Sequence, residues 1–119
     1  MKVLVTTTGD DLSAPLDGRF GRAAKFIIYD VDHDSFEVVD NAVNLNTPQG
    51  AGVQAAEVAA RHDTSVVITG HCGPKAFRAL SAAAIKVYNT EAPTVKEALE
   101  LFRSGQLKPA ESADVEGHW

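Results

Sequence analysis

Residues 69–75 read Thr-Gly-His-Cys-Gly-Pro-Lys and hold the single cysteine of the chain beside one of its four histidines. A thiolate at Cys72 is a soft ligand suited to copper(I), and a following helix N-terminus together with Lys75 would favour its charged form. His71 could add an imidazole nitrogen, although adjacent side chains usually point in different directions. The same residues also fit a plainer role, in which Gly70 and Gly73 shape a tight turn, Cys72 fills a small buried space and His71 is a solvated loop residue. Metal contact, anion cradle and simple turn are all open on residue types alone.

Cations are the second chemical signal. Of eleven Lys and Arg residues, five, namely Arg19, Arg22, Lys25, Lys75 and Arg78, fall in two short segments. Arg19, Arg22 and Lys25 recur at every third position, and guanidinium groups with fixed donors recognise anions well. Their alternative is a solvated face paired with Asp10, Asp11 and Asp17. Gly50-Ala51-Gly52-Val53-Gln54-Ala55 fits the loose pattern G-x-G-x-x-A, but no acid stands about twenty residues further on to hold a ribose. It reads better as a helix N-terminus whose free amides face an anion. The candidate ligand-binding residues are therefore Arg19, Arg22, Gly50, Gly52, His71, Cys72 and Lys75, with Cys72 and His71 as the candidate metal ligands.

These residues must be positioned by alternating short strands and helices. Val3, Leu4 and Val5 mark a buried first strand over residues 2–7. Residues 26–31 and 36–39 are rich in β-formers and flank Asp32-His33-Asp34-Ser35, which predicts a hairpin. A break at Thr47-Pro48-Gln49-Gly50 precedes an alanine-rich helix over residues 52–62. Residues 65–69 form a buried strand, Pro74 opens a helix to about Ser81, and residues 85–88 are a last short strand. The final helix, residues 93–102, places Val95, Ala98, Leu99 and Phe102 on one face, and Gly105 stops it. Residues 1–107 then make one domain, and residues 108–119, mixing Pro, Ala, Ser and acids, read as a mobile tail ending in His118 and Trp119.

That order predicts an α/β domain with a mixed sheet, its hairpin antiparallel and its other strands parallel. In such sheets ligands collect beyond the carboxyl ends of parallel strands. The segments after Thr8 and after Thr69 occupy that position.

Bulk properties narrow the function classes. With 119 residues, 45% hydrophobic and 23% charged, the chain suits one compact core. It has no apolar run of about 18 residues, and polar Thr6-Thr7-Thr8-Gly9-Asp10 follows the short apolar start, so neither a membrane span nor a signal peptide is expected and the cytoplasm is the default. One cysteine can form neither an internal disulfide nor a four-thiolate site within the chain. A formal charge of -5 argues against general nucleic-acid binding. A magnesium-dependent nuclease or phosphotransferase needs carboxylates on its central strands. Residues 3–8 and 65–69 carry none, and Asp10 and Asp11 are merely adjacent loop acids. No serine sits in a nucleophile elbow.

Across nearly the whole chain to Leu107, the segments Asp17-Gly18-Arg19-Phe20-Gly21-Arg22-Ala23-Ala24-Lys25-Phe26, Gly50-Ala51-Gly52, Thr69-Gly70-His71-Cys72-Gly73-Pro74-Lys75-Ala76, Ile85-Lys86-Val87-Tyr88 and Val95-Lys96-Glu97-Ala98-Leu99 resemble the dinitrogenase iron-molybdenum cofactor biosynthesis family. The resemblance implies a single three-layer α/β domain with a five-stranded mixed sheet in a ribonuclease-H-like arrangement, and no catalytic constellation. Two positions depart from the family pattern: Arg19 stands where many members have a histidine, and Ala84 where a glycine usually precedes the last strand. The expected function is a cytoplasmic, non-catalytic carrier or storage protein for an anionic metal-sulfur cluster. The cluster would contain molybdenum with copper or iron, as a molybdenum-copper sulfide or a precursor of the iron-molybdenum cofactor, and be held non-covalently. A delivering or accepting protein is the expected partner, with neither nucleic acid nor membrane. The alternative is a regulatory or interaction module that uses the same basic groove for a protein or phosphate ligand.

Overall fold

Apolar runs and their punctuation set the order of elements. In the computed structural model, which describes residues 1–41 and 50–112, the elements are β1 (Lys2–Thr7), β2 (Lys25–Asp30), β3 (Ser35–Asp40), α1 (Ala51–Arg61), β4 (Thr64–Thr69), α2 (Pro74–Ala82), β5 (Lys86–Asn89) and α3 (Val95–Arg103). The strands form one sheet in the order β3-β2-β1-β4-β5. β1 pairs antiparallel with β2, and β2 with β3, whereas β1 with β4 and β4 with β5 are parallel. The protein is thus a single α/β domain with a five-stranded mixed sheet and, among the described residues, three helices.

The sheet has two buried faces because alternate side chains leave a strand on opposite sides. Leu4, Phe26, Ile28, Val67 and Val87 point to one face, where Ala55, Ala56 and Ala59 of α1 and Ala76 and Leu80 of α2 cover them. Val3, Val5, Ile27, Tyr29, Val66 and Ile68 point to the other, where Val95, Ala98 and Leu99 of α3 complete the layer. β1 is therefore buried continuously from Val3 to Thr7. Each large aliphatic or aromatic side chain buried this way contributes about 1.5–3 kcal/mol. The three layers leave the carboxyl ends of β1, β4 and β5 to be closed by loops.

Local chemistry explains where the elements depart from their expected bounds. The last helix starts at Val95 because Thr94 caps it, its Oγ1 accepting the Glu97 N–H at 3.2 Å, so Pro93 stays outside. β2 ends at Asp30, whose carboxylate accepts the Asp32 N–H at 3.0 Å and opens the turn. Ala84 adopts φ 61°, a left-handed conformation that glycine takes without steric strain. Within residues 108–112, the start of the segment read as a tail, Pro109 bridges to Tyr88 of β5 and the Ala110 N–H donates to the Val87 carbonyl at 2.7 Å. The rest of that segment, His118 included, and the expected break at residues 47–49 lie outside the described residues.

Candidate anion-binding site

Beyond the carboxyl end of β1 the chain makes a long loop that folds back on its own strand. The Asp17 N–H donates to the Thr6 carbonyl at 2.9 Å, and the Thr8 N–H to the Pro15 carbonyl at 3.3 Å. The returning segment then pairs with the loop that follows β4: the His71 N–H donates to the Gly18 carbonyl at 2.7 Å and the Phe20 N–H to the His71 carbonyl at 3.2 Å. Beneath this junction the fully buried Thr6 hydroxyl donates to the Asp17 carbonyl at 2.6 Å and lies 2.9 Å from Thr69 Oγ1. Asn89 at the end of β5 adds a bond from its Nδ2 to the Gly70 carbonyl at 3.1 Å. Hydroxyls and amides at the strand ends thereby satisfy loop carbonyls that water would otherwise have to reach.

Absent side chains let the loops come this close. A Cβ on Gly70 would stand 2.7 Å from Gly18 Cα and 2.9 Å from the Gly18 carbonyl oxygen. One on Gly21 would stand 2.7 Å from the Gly52 nitrogen and 2.8 Å from its Cα, and one on Gly52 would meet Ala76 Cβ at 2.8 Å. The loop of residues 17–22, the first turn of α1 and the first turn of α2 are consequently contiguous.

Two helix N-termini meet at this junction. Gly50, at φ 82°, caps α1 and Gly73 caps α2, so neither end carries a side-chain cap. The first intrahelical donors are Gln54, to the Gly50 carbonyl at 3.0 Å, and Phe77, to the Gly73 carbonyl at 2.9 Å. The amides of Ala51, Gly52, Val53, Lys75 and Ala76 precede them and have no helical acceptor, and Pro74 has no N–H to place. Each terminus carries the equivalent of about half a positive charge.

The predicted site residues divide between this junction and its support. Gly50 caps α1, Gly52 lies in its first turn, and Lys75 is exposed as the second residue of α2. Arg22 is half-buried next to Gly21. Arg19 is 49% exposed, and its Nε is 3.6 Å from the buried carboxylate of Asp17, which also accepts the Arg19 backbone N–H at 3.0 Å. His71 is half-buried and paired through its backbone to Gly18 and Phe20. Cys72 is 1% exposed, packed in the core with Leu4, Phe20 and Phe26, and its thiol donates to the Gly73 carbonyl at 3.7 Å. Lys25 instead turns to Asp10, whose carboxylate raises the lysine pKa. Among the described residues no three His, Cys, Asp or Glu side chains converge as a metal ion would require.

Reading the residues in order gives the cations, the helix start and the turn at Gly70 but passes over the roles of Thr6, Thr69, Gly18 and Gly21. The threonines were signalled by hydroxyls at the ends of two apolar strand runs. The glycine contacts had no local signal, since each joins residues distant in the chain.

Comparison with known proteins converges on one family. A family model described as dinitrogenase iron-molybdenum cofactor matches residues 1–105. The apo form of the orange protein from Desulfovibrio gigas has a similar structure, with TM-score 0.93 and 41% identity, covering 96% of each chain. A Thermotoga structure described as a NifB protein follows with TM-score 0.85 and 34% identity, covering 98% of each chain. An uncharacterized protein of Methanocaldococcus jannaschii is 28% identical over 99 residues, 81% of this chain and 83% of that one.

Proposed function

Because the chain belongs to the dinitrogenase iron-molybdenum cofactor family over residues 1–105, we propose that it is a non-catalytic cytoplasmic carrier or storage protein for an anionic metal-sulfur cluster. The cargo contains molybdenum, with copper or iron. One observation carries the reading: two helix N-termini without side-chain caps meet beside Arg19, Arg22 and Lys75. Free amides and fixed cations suit a preassembled anion better than a bare metal ion. A cluster that brings its own sulfides needs few ligands from the protein, which accords with the core position of Cys72. Arg19, held by Asp17, presents a guanidinium to the anion, and His71 offers the one imidazole on the loop.

Purification from the native host, with the absorbance and metal content of the product recorded, tests the reading. Bound molybdenum with sulfide is the expected result, with retention weakened more by Lys75→Glu or Arg19→Glu than by Cys72→Ser. Loss of cluster on Cys72→Ser alone, with the charge reversals silent, would show anchoring through a thiolate bond. A metal-free product that binds inorganic phosphate at the same loops would replace the cargo reading with a phosphate-responsive module.

A further inference from the structure

The opposite end and edge of the sheet carry a different surface. β3 is the outer strand of the β3-β2-β1-β4-β5 sheet, so one side of its backbone has no neighbour among the described residues. Unpaired edge strands offer a row of amide donors and acceptors to an incoming strand. Among the described residues, the large hydrophobic side chains that are exposed are Met1, Phe36 and Val38, at 54%, 41% and 38%. Two of the three sit on this strand. Phe36 is in register with Tyr29 and Val38 with Ile27, and Tyr29 and Ile27 belong to the layer covered by α3. Phe36 and Val38 therefore extend that apolar face past its helix, onto the rim of the sheet.

Charge selects among the occupants this rim could take. From Asp30 to Asp40 the chain holds Asp30, Asp32, Asp34, Glu37 and Asp40 and no lysine or arginine. Residues 36, 38 and 40 share one face by alternation, while Glu37 lies on the other. Asp34, in the turn at φ 50°, reaches the Tyr29 hydroxyl on the Phe36 face, so acids stand at both ends of the apolar pair. Glu37 has a local partner in His62 at 3.0 Å, Asp34 in the Tyr29 hydroxyl, Asp30 in His33 at 2.9 Å and Asp32 in the N-terminal ammonium, and Asp40 lies opposite Lys25. The five acids still outnumber the ammonium and the lysine set among them, so the edge keeps an acidic excess. A second copy is a poor fit. Antiparallel self-pairing about Glu37 sets Glu37 opposite itself, and pairing about Val38 sets Phe36 opposite Asp40.

We propose that β3 is a docking edge for an extended, basic segment of a partner protein, which adds to the sheet as a sixth strand. On one face its apolar side chains meet Phe36 and Val38 with a Lys or Arg on either side. On the other face a basic residue meets Glu37. The palindromic heptapeptide Lys-Thr-Val-Lys-Val-Thr-Lys has this pattern in either strand direction and serves as the probe.

Titrating it into the 15N-labelled full chain should shift the amides of residues 35–40. Binding should weaken at least tenfold for the peptide with glutamate in place of lysine. It should weaken as much for the same peptide N-methylated at alternate residues, which keeps charge and side chains but cannot pair. The double substitution Phe36→Ser and Val38→Ser, at exposed positions, should also weaken binding at least tenfold with the circular dichroism spectrum unchanged. Lys75→Glu should leave it unaltered, which separates this edge from the cluster site. Equal binding of the N-methylated peptide, or shifts centred away from β3, would overturn the proposal. A dimer of the chain alone that Phe36→Ser separates in sedimentation would also overturn it, by giving the edge to a second copy.

Discussion

The loop junction beyond β1 and β4 and the hairpin end of β2 and β3 solve the same problem by different means. At the junction, backbone meets backbone: Gly18 against Gly70, Gly21 against Gly52, with carbonyls taken by Thr6, His71 and Asn89. At the hairpin end, side chains close the structure. Tyr29 is hydrogen-bonded to Asp34, receives the Arg103 Nη1 at 3.2 Å, and has that guanidinium 6.0 Å from its ring centre. Backbone closure sets two uncapped helix N-termini beside the exposed Arg19 and Lys75 with little room to rearrange. Side-chain closure leaves a rim rich in acids. A ligand that must be held in fixed geometry suits the first, and a partner recognised by charge and strand pairing suits the second.

The sharpest way to break this contrast is to add one methyl group. Gly21→Ala or Gly70→Ala forces backbone atoms at 2.7–3.0 Å to move, and overpacking of this kind costs about 1–3 kcal/mol. Both variants should unfold at clearly lower urea. Gly18→Ala is the control, since its Cβ would approach nothing nearer than His71 Cδ2 at 3.8 Å, and its midpoint should shift little. Equal effects of all three would show that the junction is looser than its distances.

At the hairpin end the expected losses are smaller. Tyr29→Phe removes the hydroxyl between Asp34 and Arg103 and should cost about 1 kcal/mol. The pH dependence follows from the same bond, because hydrogen bonding to Asp34 and burial raise the Tyr29 pKa above its ordinary value. The folded state thus holds its phenolic proton more tightly than the unfolded state. This contribution is fully present below about pH 10, the unfolded value, and is lost as pH rises through the folded pKa. Wild type should lose stability over that alkaline range more steeply than Tyr29→Phe. Parallel curves would contradict the assignment.

Ala84 gives the smallest effect and the only gain. A left-handed alanine is strained by about 1–2 kcal/mol, and the greater freedom of unfolded glycine takes back about half of that. Ala84→Gly should stabilise by up to about 1 kcal/mol, read as a rise in melting temperature of roughly 3–6 °C.

How much of this could be read from residues alone follows the range of each interaction. Val3 to Val5 and Val66 to Ile68 announce buried strands, and Pro74 announces a helix start, because apolar runs and proline geometry act locally. The cations at Arg19, Arg22 and Lys75 and the helix opening at Gly50 were legible for the same reason. The start of α3 was misplaced because Pro93 looked like a first-turn residue while the Thr94 cap decided the boundary. Cys72 fits either a soft thiolate ligand or a small buried filler by residue type alone, and its place in the core with Leu4, Phe20 and Phe26 accords with the second. Contacts such as Gly21 to Gly52 are invisible in one dimension: their content is a missing Cβ that matters only once the sheet has brought the loops together.

Binding of the cargo by free amides and fixed charge at the junction would be visible in amide mapping with a sulfide anion. Tetrathiomolybdate titrated into the 15N-labelled protein should shift the Gly52, Val53, Lys75 and Ala76 amides, with an affinity that falls in Lys75→Glu and with salt as exposed charges become screened over about 10 Å at 0.1 M. Shifts that spare both helix N-termini, or binding indifferent to salt and to Lys75→Glu yet lost in Cys72→Ser, would contradict it.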